Sequence, residues 1–198
     1  MSDNNDSPIG VFDSGIGGLT VLKEIFRALP HENTIYLGDT ARVPYGSKSG
    51  DTVVRYSLEI AEFLVKQGIK LFVVACNTAS AYAIHELKAR LKIPVIGVIE
   101  PGAKAAIEAT GTKRVGIIGT EGTIKSNSYV NAINFLRNAK TESVLERGEK
   151  SLDRYFEIRS DNFIIFTKAC PLFVSLAEEG WTTNDVAVLT AEHYLKGL

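Results

Sequence analysis

Three side chains able to do chemistry stand together at Cys76, Asn77 and Thr78, directly after the apolar run Leu71–Ala75. The run is short and rich in valine, which predicts a strand buried on both faces of a parallel sheet, with Cys76 at its carboxyl end. Backbone N–H groups and the positive end of a helix at that position favour a thiolate over a thiol, and they would also hold a carboxylate. The stretch therefore predicts a base or nucleophile beside an anion-binding position.

A helix is predicted to begin just after Cys76, with Asn77 or Thr78 placed to cap it. Its apolar stripe consists of Ala79, Ala83, Leu87 and Leu91. A cysteine considered alone is more often a small buried hydrophobe than a catalyst. The polar neighbours at a strand-to-helix turn favour the catalytic interpretation of Cys76.

A glycine-rich loop, Asp13–Gly18, follows the first predicted strand and precedes a helix. A dinucleotide-binding loop is one interpretation, since Asp39 ends the next strand about 20 residues later, but Thr20 stands where the third glycine belongs. A Walker loop is excluded because no Gly-Lys-Ser/Thr run closes the segment. The glycines alone are equally well explained by a tight turn. Asp13 and Ser14, at the end of the strand, are the candidates for a functional role.

The second cysteine and the histidines are weaker candidates. Cys170 also follows an apolar strand, but Pro171 lacks the backbone N–H that would help to hold an anion, so Cys170 is interpreted as structural. His31, His85 and His193 have no metal-ligand spacing with one another or with either cysteine. No metal site is therefore predicted.

Predicted strands and helices alternate along the first half of the chain, which indicates an α/β fold with a doubly wound parallel sheet and ligands beyond the carboxyl ends of its strands. The second strand, over Thr34–Gly38, opens a polar loop with Tyr45 and Gly46. That loop is compatible with ordinary packing and with a backbone amide that binds a carboxylate. A helix from about Asp51 should end at Gly68. The predicted inward stripe of that helix is Val54, Leu58, Ala61 and Val65.

The second half of the chain echoes the first, because Arg114–Thr123 resembles the first strand and its loop. Two α/β domains are therefore predicted, over residues 1–98 and 99–198, with the second one incomplete at its carboxyl end. The position equivalent to Cys76 is Thr182, which is not a thiol. The segment near residues 138–161 is charged and poor in apolar periodicity, and it is interpreted as an insertion.

Composition excludes several classes of function. The 198 residues carry a formal net charge of −1, with 45% apolar and 23% charged residues, which is typical of a globular protein and not of a nucleic-acid or membrane surface. The polar stretch Met1–Ser7 resembles no signal or transit peptide, and no apolar run approaches the ~20 residues of a membrane helix. Two cysteines without an export signal are expected to be free thiols. A cytoplasmic protein is predicted.

Four ordered motifs resemble those of the glutamate racemase family. They are Val11–Gly18, Gly38–Gly46, Ala75–Ser80 and Ala169–Val174, and the match runs from Pro8 to about Phe135 and again from Lys168 onward. The resemblance implies two pseudo-symmetric α/β domains with the substrate, glutamate, between them. It also implies a reaction without a cofactor, in which two thiols remove and return the Cα proton from opposite faces, and a role in supplying D-glutamate for peptidoglycan.

The resemblance also implies roles for individual residues. Cys76 is one of the two thiols, assisted by Asp13, and Glu178 matches the glutamate that assists the other. The residues implied to bind substrate are Ser14, Tyr45, Gly46, Asn77, Thr78, Thr120 and Thr123.

The sequence departs from the family pattern in ways that leave alternatives open. The second thiol of the family lies in a Gly-Cys-Thr-His run that these 198 residues do not contain, and Ser175 replaces a usual proline. We expect either a truncated racemase or an incomplete record of one. A racemase for aspartate or a related diacid, and a non-catalytic remnant or binding protein, are the other hypotheses. Apolar surface exposed by the missing strand and helix makes a homodimer possible.

Overall fold

The computed structural model describes residues 6–148 and 154–196, and the chain divides into two compact units, Met1–Val98 and Ile99–Leu198. The elements of the first unit are β1 (Ile9–Asp13), α1 (Leu19–Ala28), β2 (Thr34–Gly38), a 3₁₀ turn (Tyr45–Ser47), α2 (Gly50–Lys66), β3 (Leu71–Val74), α3 (Asn77–Arg90) and β4 (Val95–Gly97). The elements of the second unit are α4 (Ile99–Ala109), β5 (Arg114–Gly119), α5 (Glu121–Lys125), α6 (Ser128–Leu136), β6 (Ser143–Arg147), β7 (Tyr155–Ser160), β8 (Phe163–Ala169), α7 (Leu172–Glu178) and α8 (Asp185–Leu195).

The first unit is a doubly wound parallel sheet, as the alternation of strands and helices predicted. Its strand order is β2-β1-β3-β4, and every pair is parallel. Helices α2 and α3 cover one face over a core that includes Phe12, Phe72 and Val74, and α1 covers the other face over Val11 and Val73. All the strands therefore bring their carboxyl ends to one edge of the sheet.

Helix α2 has the predicted extent, and Val54 and Leu58 of its predicted stripe are partly buried against the core. Ala61 is buried as expected, whereas Val65 is exposed. The buried residues of the helix are Val53, Ser57, Ile60, Ala61 and Leu64. Ser57, which is not part of the predicted stripe, is also fully buried and donates its hydroxyl to the Val53 carbonyl oxygen at 2.8 Å. Gly68 ends the helix with a φ of +79°, as predicted.

The second unit confirms the α/β class but contains a mixed sheet. Its strand order is β5-β8-β7-β6, with β5 and β8 parallel and the other two pairs antiparallel. The segment near residues 138–161, interpreted from the sequence as an insertion poor in apolar periodicity, supplies β6 and β7 at the outer side of this sheet. In β7, charged and apolar side chains alternate. Arg159 and Arg147 form ion pairs with the Glu157 carboxylate on one face, while Phe156 and Ile158 point to the opposite face.

None of the described helices is both long and apolar enough to cross a bilayer.

Candidate active site

The carboxyl-terminal edge of the first sheet brings together Asp13, Ser14 and Cys76, three of the residues predicted from the sequence to be functional. Strands β1 and β3 are parallel neighbours with Phe12 opposite Val74, so the residues that follow each strand emerge at the same edge. Ser14 Oγ lies 3.2 Å from Cys76 Sγ, within hydrogen-bond distance of a thiol. The sulfur predicted to act as a base therefore has a polar partner from the neighbouring strand.

Cys76 itself caps helix α3, although Asn77 or Thr78 was expected to do so. The Ala79 backbone N–H donates to Cys76 Sγ at 3.4 Å, and the Ser80 N–H donates to the Cys76 carbonyl oxygen at 2.8 Å. The helix begins at Asn77, two residues before the first residue of the apolar stripe, because the sulfur takes the place of the oxygen that normally caps a helix. The capping prediction is therefore wrong, and the proximity of the thiol to helix N–H groups is confirmed.

The protonation state of Cys76 also differs from the prediction. Cys76 is only 5% exposed, and burial raises the pKa of its thiol. Hydrogen bonds from Ser14 and Ala79 lower that pKa and the charge of Asp13 raises it further, but burial is the largest effect. The expected preference for thiolate is wrong, because the helix terminus and the N–H groups lower the pKa of the Cys76 thiol by less than burial raises it.

Asp13 lies beside this sulfur and organises the glycine loop. Its Oδ2 accepts the backbone N–H groups of Gly15 at 3.1 Å and of Gly18 at 2.9 Å. A Cβ on Gly18 would approach the Asp13 Cβ to 2.6 Å and the Ala75 Cβ to 3.0 Å, so a glycine is required there. The loop thus wraps a buried carboxylate, and no feature of a phosphate cradle is needed to explain its glycines.

Tyr36 is a member of this cluster that the sequence analysis did not single out. It stands opposite Val11 on β2, and its hydroxyl donates to the Gly15 carbonyl oxygen at 3.2 Å. Burial raises the pKa of Tyr36, and the charge of Asp13 and a hydrogen bond with it act in the same direction. The period-two alternation of β2 could have found Tyr36, because it shares the sheet face of Asp13 and stands two residues before the end of its strand.

Tyr45 is buried, and its hydroxyl donates to Asp39 Oδ2 at 2.5 Å. Arg42 Nε donates to the same oxygen at 2.6 Å. The Tyr45 phenol is therefore held within the protein, which leaves the backbone at Tyr45 and Gly46 for the predicted contact with a carboxylate. Asp39 is likewise engaged and does not serve as the ribose acid of a dinucleotide site.

The remaining predicted residues occupy two places. Asn77 and Thr78 form the first turn of α3, where Asn77 is exposed and Thr78 is buried. In the second unit, Thr120 caps α5 by accepting the Thr123 N–H at 3.2 Å, and the two hydroxyl oxygens lie 3.0 Å apart. Glu178 is the exposed last residue of α7.

Cys170 also lies in the second unit, at the end of β8. It is buried, its thiol donates to the Lys168 carbonyl oxygen at 3.8 Å, and burial raises its pKa. This environment agrees with the structural role predicted for it.

The two buried thiols predict a loss of stability in alkali. The pKa of each is raised above its ordinary value of 9.0 in the folded chain, so above about pH 9 the unfolded state loses protons that the folded state retains. The free energy of unfolding should therefore decline as pH rises from about 9 through the folded-state pKa values. Urea unfolding between pH 7 and 10 measures this decline, below the pH at which partly buried tyrosines such as Tyr36, whose ordinary pKa is 10.0, add a loss of the same sign. The same decline in a Cys76→Ala, Cys170→Ala double variant would contradict its assignment to the thiols.

The chain is similar to proteins of one known family. The family described as Asp/Glu/Hydantoin racemase matches residues 9–154. The glutamate racemase of Geobacter metallireducens is 60% identical over 190 residues, which cover 96% of this chain and 62% of that protein. The chain thus spans less than two thirds of the length of this relative.

Two solved structures have the same fold. Glutamate racemase RacE1 of Bacillus anthracis superposes with a TM-score of 0.82 at 38% identity, covering 96% of this chain and 63% of that one. The glutamate racemase of Francisella tularensis, solved in complex with D-glutamate, gives 0.78 at 37% identity with the same coverage. Because the family match extends through the site around Cys76, the chain belongs to the Asp/Glu/hydantoin racemase family.

Proposed function

We propose that this chain carries the first acid/base group of a glutamate racemase, with Cys76 as that group. The observation that supports this most directly is the contact of Cys76 Sγ with Ser14 Oγ beside Asp13, at the sheet edge where ligands of α/β folds bind. The supporting similarity is the 60% identity to a protein named glutamate racemase. The whole activity is proposed because the chain matches only part of such proteins.

The chemistry requires a base on one face of the α-carbon and an acid on the other. As a thiolate, Cys76 takes the proton from Cα, and the electron pair of the broken C–H bond moves into the adjacent carboxyl group. The reverse step returns the proton from the thiol. A raised pKa means that fewer Cys76 side chains are ionised near neutral pH, but each thiolate is a stronger base.

The other predicted residues complete the proposal. The Asp13 charge increases the basicity of the sulfur, and Ser14 holds it in place. Asn77, Thr78 and the backbone at Tyr45 and Gly46 are proposed to bind the polar groups of glutamate. The contributors proposed from the second unit are Thr120, Thr123 and Glu178. No cofactor is required, because side chains perform both proton transfers.

We infer a cytoplasmic location and a role in supplying D-glutamate for peptidoglycan, as the family resemblance implies. Cys76 and Cys170 are both free thiols, which agrees with a reducing compartment. A homodimer is a separate proposal, motivated by exposed apolar side chains such as Phe63 and Phe135.

Isotope exchange tests the proposal. L-glutamate and D-glutamate are incubated separately with the 198-residue chain in deuterium oxide, and loss of the Cα proton is followed by NMR. These residues contain no Gly-Cys-Thr-His run, so we expect deuterium to enter only one isomer with negligible change in optical rotation. Aspartate, offered in the same way, tests the alternative substrate.

Three outcomes of this experiment would correct the proposal. Exchange into neither isomer would contradict the catalytic role. Full-rate inversion would show that a second acid/base group lies within these residues. Faster exchange into aspartate than into glutamate would assign the site to the shorter diacid.

A further inference from the structure

An ion-paired network ties the loop that carries Tyr45 to helix α2. Arg42 donates from Nε to Asp39 Oδ2 at 2.6 Å and from Nη1 to Glu59 Oε2 at 2.5 Å. Its guanidinium carbon lies 4.1 Å from the centroid of the Tyr56 ring. Glu59 and Tyr56 both belong to α2, whereas Asp39 directly follows β2. Arg42 therefore joins the end of a strand to the middle of a helix.

Asp39 connects this network to Tyr45. The carboxylate is 8% exposed, and the one oxygen Oδ2 accepts from both the Tyr45 hydroxyl and Arg42. The Tyr45 ring lies 6.1 Å from that of Phe12 and 5.8 Å from that of Tyr56. The Tyr45 side chain is thus held from two sides, by aromatic packing and by a buried charge.

Arginine suits this position because its planar group can form two directed hydrogen bonds and stack on an aromatic ring at the same time. Lysine would retain the charge but would lose either the second bond or the stacking contact. The Arg42 side chain is 30% exposed, so solvent reaches it although Asp39, Glu59 and Tyr56 all contact the guanidinium. The network therefore holds the loop from Asp39 to Tyr45 in one position.

We propose that Arg42 is a positioning residue, which acts through Asp39 and Glu59 to hold the Tyr45–Gly46 backbone where it binds a carboxylate of the substrate. This inference rests on the proposed function, because the substrate contact of Tyr45 and Gly46 comes from the family resemblance. Arg42 itself touches no reacting atom.

The expected kinetic effect distinguishes positioning from catalysis. The proposed contact at Tyr45 and Gly46 holds a carboxylate and transfers no proton, so its weakening is expected to raise KM and leave kcat nearly unchanged. Arg42→Lys should therefore raise the KM of isotope exchange about tenfold, the usual size for a lost charge-assisted hydrogen bond. A general loss of folding would instead reduce the amount of active protein and lower kcat.

Arg55 provides a matched control on the same aromatic ring. Its guanidinium lies 5.2 Å from the Tyr56 centroid, and within residues 6–148 and 154–196 no ion pair is recorded for it. Arg55→Lys should leave both KM and kcat at the wild-type values. A KM increase of equal size in Arg42→Lys and Arg55→Lys would overturn the proposal.

Glu59→Gln and hydrogen exchange complete the test. Glu59→Gln should raise KM less than Arg42→Lys, and the double variant should resemble Arg42→Lys because both changes break the same link. Hydrogen exchange of the amides over residues 43–48 should accelerate at least fivefold in Arg42→Lys and not in Arg55→Lys. If amide hydrogen exchange over residues 43–48 is unchanged in Arg42→Lys, the positioning role is overturned, even if the wild-type chain is inactive. If the wild-type chain does not exchange the Cα proton of glutamate, that result alone refutes only the proposed function.

Discussion

Replacing Cys76 by alanine is expected to reduce deuterium entry into glutamate by about a thousandfold, because the change removes the group proposed to take the Cα proton. The measurement is the initial rate of Cα–H loss at saturating glutamate. The alanine also removes the acceptor of the Ala79 N–H at the start of α3, so a decrease in stability of about 1 kcal/mol should accompany the kinetic loss.

Cys76→Ser separates the two effects. A serine hydroxyl is a better helix cap than a thiol and a far weaker base, so the serine variant should be as stable as the wild type and as inactive as the alanine variant. Cys170→Ala should retain the wild-type rate. A Cys76→Ser variant with more than about a tenth of the wild-type rate would remove Cys76 from the role of base.

Gly38→Ala should have the largest effect on stability. A Cβ at Gly38 would lie well inside the van der Waals contact distance of the Gly15 carbonyl oxygen and 3.4 Å from Tyr36 Cε1. The Gly15 oxygen is main-chain and accepts from Tyr36, so it cannot rotate away as a flexible side chain would. We expect a loss of about 3 kcal/mol in the free energy of unfolding, measured in urea, and slower isotope exchange because the loop bearing Ser14 must move.

Gly116 is the matched control, since it also lies in a strand with a parallel neighbour, and nothing in the described part of the chain comes within 4 Å of a Cβ built there. Gly116→Ala should be neutral or stabilising by about 0.5 kcal/mol, because the unfolded chain loses conformational freedom. Equal destabilisation by the two substitutions would mean that the close approach at Gly15 is relieved without cost.

The sequence identified the residues at the sheet edge because strand ends obey a simple rule. Asp13 and Cys76 each follow a short apolar run, and parallel strands bring such positions to one edge. Tyr36 was not predicted as a site residue because it lies inside a strand, where the usual explanation of a tyrosine is core packing. The contacts of Arg42 with Glu59 and Tyr56 could not be predicted, since they join segments whose separation in space depends on how α2 packs.

Two errors had energetic causes. The thiolate prediction for Cys76 counted the helix terminus and the N–H groups, but it could not count burial, which the surrounding packing determines. The strands β6 and β7 were missed because charged residues dominate the segment, although Phe156 and Ile158 alternate regularly with the paired Glu157 and Arg159. In both cases the tertiary environment outweighed the local pattern.

The double role of the sulfur at the start of α3 gives this position diagnostic value. Many residue types can begin a helix, and serine, aspartate or asparagine would preserve the architecture there, whereas only the proposed proton transfer requires cysteine. A protein of similar fold with one of those oxygen-bearing residues at this point should remain well folded yet lack turnover. The residue type at this single position would thus distinguish catalytically active homologues from inactive ones.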